Sequence, residues 1–300
     1  MTIIHFFFVI IGVSVANELI RVKKEKNMSM FKGRNLINAL GIPGWLFLIW
    51  KGDLYYSFFI LICIVFALGE FYDMMEKKGT KPLRWMGMCS AAFIADFYYS
   101  QPIITGHQMV GCVILIVLLT FIWELFSKEE NSGLNISVTM AGILFVPILL
   151  GTAIDIRQFD TFMGTQLTLA LVLSVWACDS AAFIFGTKFG SAKIFPRVSP
   201  NKSWVGSIAG LIASMSVFHL FYHQGWLGDY FSMNDAIAFG IISGVFGQMG
   251  DFSESLLKRD AGVKDSGTLL QGHGGVLDRF DSLIFATPIT YLYLHIFMNF

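Results

Sequence analysis

Long apolar blocks separated by short polar stretches dominate this chain, and within the blocks apolar positions do not alternate with polar ones. The blocks cover residues 36–50, 54–72, 83–100, 107–126, 137–153, 165–187, 204–222, 234–252 and 281–300. Each approaches the ~20 residues that carry a helix across a bilayer's hydrocarbon. Lipid offers the backbone no hydrogen-bond partner, so a crossing segment must satisfy its own N–H and C=O groups, which predicts helices throughout. Residues 3–17 form one further apolar run, with no positive charge before it and a basic cluster after it. That order is opposite to a cleaved signal peptide and predicts an uncleaved anchor helix, short for a full crossing. The expectation is an all-α, polytopic transmembrane bundle of about nine to ten helices. No repeat, low-complexity stretch or long linker divides residues 1–300, so a single integral membrane domain is expected.

Composition strengthens this picture. Of 300 residues, 55% are hydrophobic and 14% charged, against about 25% charged in ordinary soluble domains. Basic residues also set an orientation. With ten alternating crossings and the N-terminus outside, nineteen of the 21 Lys and Arg fall in inside loops, and only Lys51 and Arg157 fall outside. Zero net charge gives no sign of nucleic-acid binding. The four cysteines lie in apolar runs without metal-ligand spacing and read as small buried hydrophobes.

Two polar stretches in the C-terminal part break the pattern. The first contains Asp179 and Ser180 within an apolar block, then Lys188, Lys193, Ser199, Pro200, Lys202 and Trp204. A carboxylate in a membrane segment is costly unless paired, hydrated or metal-bound, so Asp179 marks function unless a neighbouring helix supplies a salt bridge. The second runs from Gly247 to Asp281. If the helix over 234–252 continues past the membrane surface, Asp251, Ser255, Lys258 and Arg259 fall at i, i+4, i+7 and i+8, on one face. A carboxylate, a hydroxyl and two cations on one stripe suit a metal-bound phosphate. Glu254 and Asp260 read as surface or supporting groups. Gly272-His273-Gly274-Gly275 then offers main-chain N–H groups that phosphate oxygens can approach closely, an anion nest.

These residues resemble the phosphatidate cytidylyltransferase (CDP-diacylglycerol synthase) family. The matching positions are Ser255-Leu-Leu-Lys258-Arg259, Lys264-Asp265-Ser-Gly267 and His273-Gly274-Gly275-Val-Leu-Asp278-Arg279-Phe-Asp281. The likeness is specific over about 175–282, the expected catalytic region, and mainly hydropathic before it. Arg34, Pro43 and Glu70-Phe71-Tyr72 are faint echoes of the family's N-terminal half. The chain departs from the family at Gln271, where proline is usual, at Val205, where glutamate is usual, and at Ala181, where glycine is usual.

The resemblance implies attack by the phosphate of phosphatidic acid on the α-phosphorus of CTP, with pyrophosphate leaving, as a step of phospholipid biosynthesis. It implies Mg²⁺ in a two-cation design, with Asp251 and Asp278 as metal ligands. Lys258, Arg259 and Arg279 would neutralise triphosphate charge and Ser255 would donate a hydrogen bond. Lys264 and Asp265 belong to the motif without a specified role. Asp179 and Lys202, with Gly274 and Gly275, would help form the nucleotide or metal site. A phosphate monoester is already anionic, so His273 is expected to position rather than act as base. The expected setting is a bacterial inner membrane with the site facing the cytoplasm; the oligomeric state stays open, a homodimer included. Two alternatives share part of this pattern: a CTP-dependent lipid-alcohol kinase, and a transporter, although the polar features are confined to one half.

Overall fold

The structure is a computed structural model that describes residues 41–100, 106–269 and 274–298. The expected anchor over 3–17, the basic cluster Arg21–Arg34 and His273 lie outside the described residues.

Each of the nine apolar blocks contains a helix. In chain order these are α1 (41–51), α2 (Asp53–Glu76), α3 (Arg84–Tyr99), α4 (Gly106–Phe126), α5 (Ser132–Gln158), α6 (Met163–Phe189), α7 (Trp204–His223), α8 (Met233–Ile241 and Gly247–Asp260, joined by a π turn) and α9 (Leu277–Phe297). Strands are absent among the described residues, where one isolated bridge joins Lys193 to Ser203. Six helices, α2, α4, α5, α6, α7 and α9, are long and apolar enough to cross a membrane. The outer face of α4 exposes Leu115, Leu118, Phe121, Ile122 and Trp123, as a lipid-facing helix does.

Local chemistry explains the helix ends and breaks. Ser203 caps α7 by accepting from Gly206 N–H, and Ser232 closes a capping box with Asp235 at the start of α8. In α5 the ladder slips to a π turn over Leu144–Ile148, around Pro147, which has no N–H to donate. Alternating helices leave two ends. At one end Lys78 pairs with Asp260, Lys81 with Glu129, and Arg84 with Asp73 and Glu76. At the other, Arg157 donates from Nε to the Ile49 carbonyl at 2.6 Å, and Tyr293 donates to Asp235 at 2.7 Å. Among the described Lys and Arg, Lys51 and Arg157 alone belong to this second end.

Close helix crossings rely on small residues. A Cβ at Gly210 of α7 would come within 2.8 Å of the Cys178 Sγ on α6. On the other side of the bundle Tyr72 of α2 is fully buried, its hydroxyl donating to the Thr139 carbonyl at 3.0 Å. Its ring fills the space left by Gly87 on α3 and Gly142 on α5. Gly142→Ala is therefore expected to overpack the site and cost about 1–3 kcal/mol. Tyr72→Phe, which removes one hydrogen bond, is expected to cost about 1 kcal/mol. Thermal unfolding in detergent checks the order of these two effects.

Candidate active site

The second half of α8 is polar and carries Lys258 and Arg259 in its last turn, where cations complement the helix dipole. Gly250 allows α8 to press against α9, since a Cβ there would strike the Asp281 carbonyl. This approach brings Asp251 of α8 near Asp281 of α9 and Asp179 of α6, and the three carboxylates act on one another electrostatically. Lys202 and Arg279 offset the charge of Asp179.

Lys202 reaches this group through the loop between α6 and α7. The loop folds back on itself: Ile194 N–H donates to the Lys202 carbonyl at 3.3 Å and Trp204 N–H to the Ala192 carbonyl at 3.1 Å. It then clasps α8. The Phe195 ring meets Phe252 edge-on at 5.1 Å, and Arg259 Nε donates to the Val198 carbonyl at 3.3 Å. Lys202 forms an ion pair with Asp251 and lies 4.5 Å from the Phe252 ring centre. Ser255 Oγ stands 3.4 Å from the other Asp251 oxygen, a weak contact.

One turn further along α8, Lys258 joins two carboxylates. It pairs with Glu254 and donates to Asp278 Oδ1 at 2.6 Å. Glu254 is fully buried, so of its two readings, surface or supporting group, the surface one is corrected. It precedes Lys258 by four residues, so both lie on the buried side of α8. Burial pushes the Glu254 carboxyl up to about 8, against the opposing pull of Lys258. Burial also disfavours charge on Lys258, yet Glu254 and Asp278 outweigh it and hold its pKa above the usual lysine value. Asp260, by contrast, is exposed and pairs with Lys78.

Asp278 is the most heavily engaged of the expected site residues. Besides Lys258 on Oδ1, its Oδ2 accepts Gly275 N–H at 2.7 Å, Ser266 N–H at 3.0 Å and the Ser266 hydroxyl at 3.0 Å. The Gly275 N–H, expected to face phosphate, is thus directed at Asp278. Gly274 has φ +81°, a backbone state that favours glycine.

Glu70 was read from sequence only as a faint family echo. It projects from α2 into the same loop and is 7% exposed. Its carboxylate accepts Val276 N–H at 2.9 Å, Leu277 N–H at 2.8 Å and the Ser266 hydroxyl at 2.9 Å. A Cβ at Gly267 or Gly275 would collide with that carboxylate, so these glycines are needed for its close approach. The signal was present: a carboxylate in the apolar run 54–72, the same feature that singled out Asp179. The single Ser266 hydroxyl proton faces both Glu70 and Asp278 and links them.

Among the remaining expected residues, Lys264, Asp265 and Arg279 are exposed around the same mouth. Arg259 is exposed and donates to the Val198 and Val263 carbonyls, so the predicted stripe divides. Among the described residues no three His, Cys, Asp or Glu side chains form a ready metal cage. Mg²⁺ seldom uses one, because it keeps water and substrate oxygens as ligands. Asp251 and Asp278 each hold a lysine ammonium on one oxygen, so positive charge already stands against both carboxylates. The carboxylate oxygens of Asp251 and Asp278 are hard donors of the kind that suits a divalent cation.

Known proteins resemble this chain over most of its length. The chain is 29% identical over 273 residues to a phosphatidate cytidylyltransferase of Bacillus subtilis, covering 89% of this chain and 98% of that one. It is 33% identical over 264 residues to a phosphatidate cytidylyltransferase of Staphylococcus aureus, covering 86% and 96%. A Haemophilus influenzae protein of the same name is 39% identical over 158 residues, 51% of this chain and 54% of that one. The cytidylyltransferase family profile matches residues 32–297, which takes in every described helix, and the chain belongs to that family.

Proposed function

We propose that this protein transfers the cytidylyl group of CTP to phosphatidic acid, giving CDP-diacylglycerol and pyrophosphate. The observation that carries this reading is the meeting of Lys202–Asp251 and Lys258–Asp278 at one end of a membrane bundle. Relatives named for this activity align over nearly their whole length.

The chemistry must bring an anionic phosphate monoester to an anionic triphosphate. A lipid phosphate oxygen forms the new bond to the α-phosphorus, while the α–β bridging P–O bond breaks and pyrophosphate departs. The nucleophile is already ionised, so positioning and charge neutralisation dominate over proton abstraction. Lys258, aimed by Glu254 and Asp278, and Lys202, aimed by Asp251, supply positive charge from two sides. Arg279 and Arg259 extend it around the mouth. Asp251 and Asp278 would hold Mg²⁺, with Asp179 and Asp281 nearby. When bound, the metal neutralises phosphate charge and helps align attacking and leaving oxygens.

The proposal includes nine to ten crossings, counting α1, α3, α8 and residues 3–17 beside the six long apolar helices. The site then faces the cytoplasm of a bacterial inner membrane, where the loops rich in Lys and Arg belong. The test supplies purified protein with CTP labelled at the α-phosphate, phosphatidic acid and Mg²⁺. Label entering the lipid phase with matching pyrophosphate release is the expected result. Label remaining in water sinks the proposal, and CDP formed with a lipid alcohol would identify a kinase instead.

A further inference from the structure

We propose that Glu70 is a positioning residue for cytidylyl transfer: from α2 it fixes the loop before α9 so that Asp278 is aimed at Lys258. This inference rests on the cytidylyltransferase reading and adds a role for the N-terminal half of the chain.

Glu70 has no cationic partner within ion-pair distance among the described residues. Its charge is balanced by the Val276 and Leu277 N–H groups and the Ser266 hydroxyl. Those N–H groups belong to the first turn of α9 and its flank, which helical bonding leaves free. An anion there is favoured by the dipole of α9. Packing alone does not call for this charge, because an apolar side chain of similar size would avoid the desolvation of a buried carboxylate.

The donors of the loop are divided between two carboxylates. Glu70 takes Val276 and Leu277 from the α2 side, whereas Asp278 takes Gly275 and the Ser266 N–H from the α8 side. The Ser266 hydroxyl stands between them. This division leaves Asp278 Oδ1 for Lys258. Without Glu70, the freed N–H groups compete for Asp278, which sits in the same helical turn, and draw its carboxylate back onto its own helix. Glutamine cannot replace glutamate fully. Whichever way its amide turns, an NH₂ group meets either the Val276 or the Leu277 N–H.

The test uses the full-length protein in detergent with Glu70→Gln, Glu70→Asp and Gly267→Ala. The Gly267→Ala change keeps the carboxylate but pushes it from its place. The folded fraction is measured by size exclusion and thermal unfolding, and kcat and KM for CTP are measured per folded molecule. A displacement of a reacting group by about 1 Å can cost ~10²-fold in rate. Glu70→Gln is accordingly expected to lower kcat by roughly that factor with KM changed less than about threefold. Glu70→Asp should recover part of the loss, and Gly267→Ala should reproduce the kcat defect. A merely structural Glu70 would lower the folded fraction and leave kcat per folded molecule unchanged in both Glu70→Gln and Gly267→Ala, which overturns the inference. Should Glu70→Gln fail to fold, Gly267→Ala decides: a lowered kcat supports the inference and an unchanged kcat overturns it. Wild-type protein that transfers no label would instead remove the cytidylyltransferase reading and this inference with it.

Discussion

Replacing Asp278 by alanine is expected to lower cytidylyl transfer about a thousandfold, because losing one preorganised electrostatic group commonly costs ~10²–10³ in kcat and this one organises several others. Its carboxylate receives Lys258, Gly275 and both donors of Ser266. Alanine leaves Lys258 with Glu254 alone and releases the loop before α9, besides removing an expected metal ligand. Asp278→Asn separates these effects. It keeps the volume and one acceptor oxygen while removing the charge, so folding should be better preserved than in the alanine variant. α-Label transfer per folded molecule, read beside thermal unfolding, checks both. Wild-type transfer in folded Asp278→Ala protein would show that this carboxylate has no part in the reaction.

Lys202→Ala is expected to reduce kcat/KM for CTP by about 10–100-fold, from the loss of one charge-assisted phosphate contact of ~1.5–3 kcal/mol. The pair with Asp251 is partly solvent-exposed, and pairs of this kind contribute only ~0–1 kcal/mol to stability. The variant should therefore unfold within a few degrees of wild type while losing activity. Lys202→Arg keeps the charge but changes its shape, and it should recover only part of the loss. A large fall in unfolding temperature with normal kcat/KM in the folded fraction would assign Lys202 to loop anchoring instead.

The helical architecture was legible because lipid leaves the backbone few choices. A helix lies in every apolar block, and the largest shifts in its limits are understandable. The block over 137–153 lengthens to Ser132–Gln158, since Asn135 and Asp155, buried in the added turns, find partners in Glu124 and His295 that hydropathy cannot register. Membrane-crossing length and apolarity hold for six helices. Of the others, α3 is shorter, α1 is described only from residue 41, and α8 ends in a polar segment whose residues serve the candidate site.

The candidate site was only partly legible. Asp179, Asp251, Lys258 and Asp278 announced themselves as charged residues at improbable or closely spaced positions. Helical spacing could not decide that Glu254 turns inward, because the burial of that face depends on α9 packing against it. Nor could spacing join Glu70 to a loop roughly 200 residues away. Gly275 read as part of a phosphate nest and Gly267 only as a motif position, but their necessity comes from the carboxylate lodged against them.

The sequence by itself therefore determined an all-helical membrane protein, the stretches that make up its candidate site and the family to which they point. Those conclusions depend on local quantities: block length, residue type and spacing along one helix. Only the tertiary structure decided which charges face one another: Lys202 with Asp251, Lys258 between Glu254 and Asp278, and Glu70 against the start of α9. Pairing of this kind is set by close approach between elements distant in the chain. It depends on where glycines remove side chains and where buried N–H groups need acceptors, and neither is fixed by periodicity.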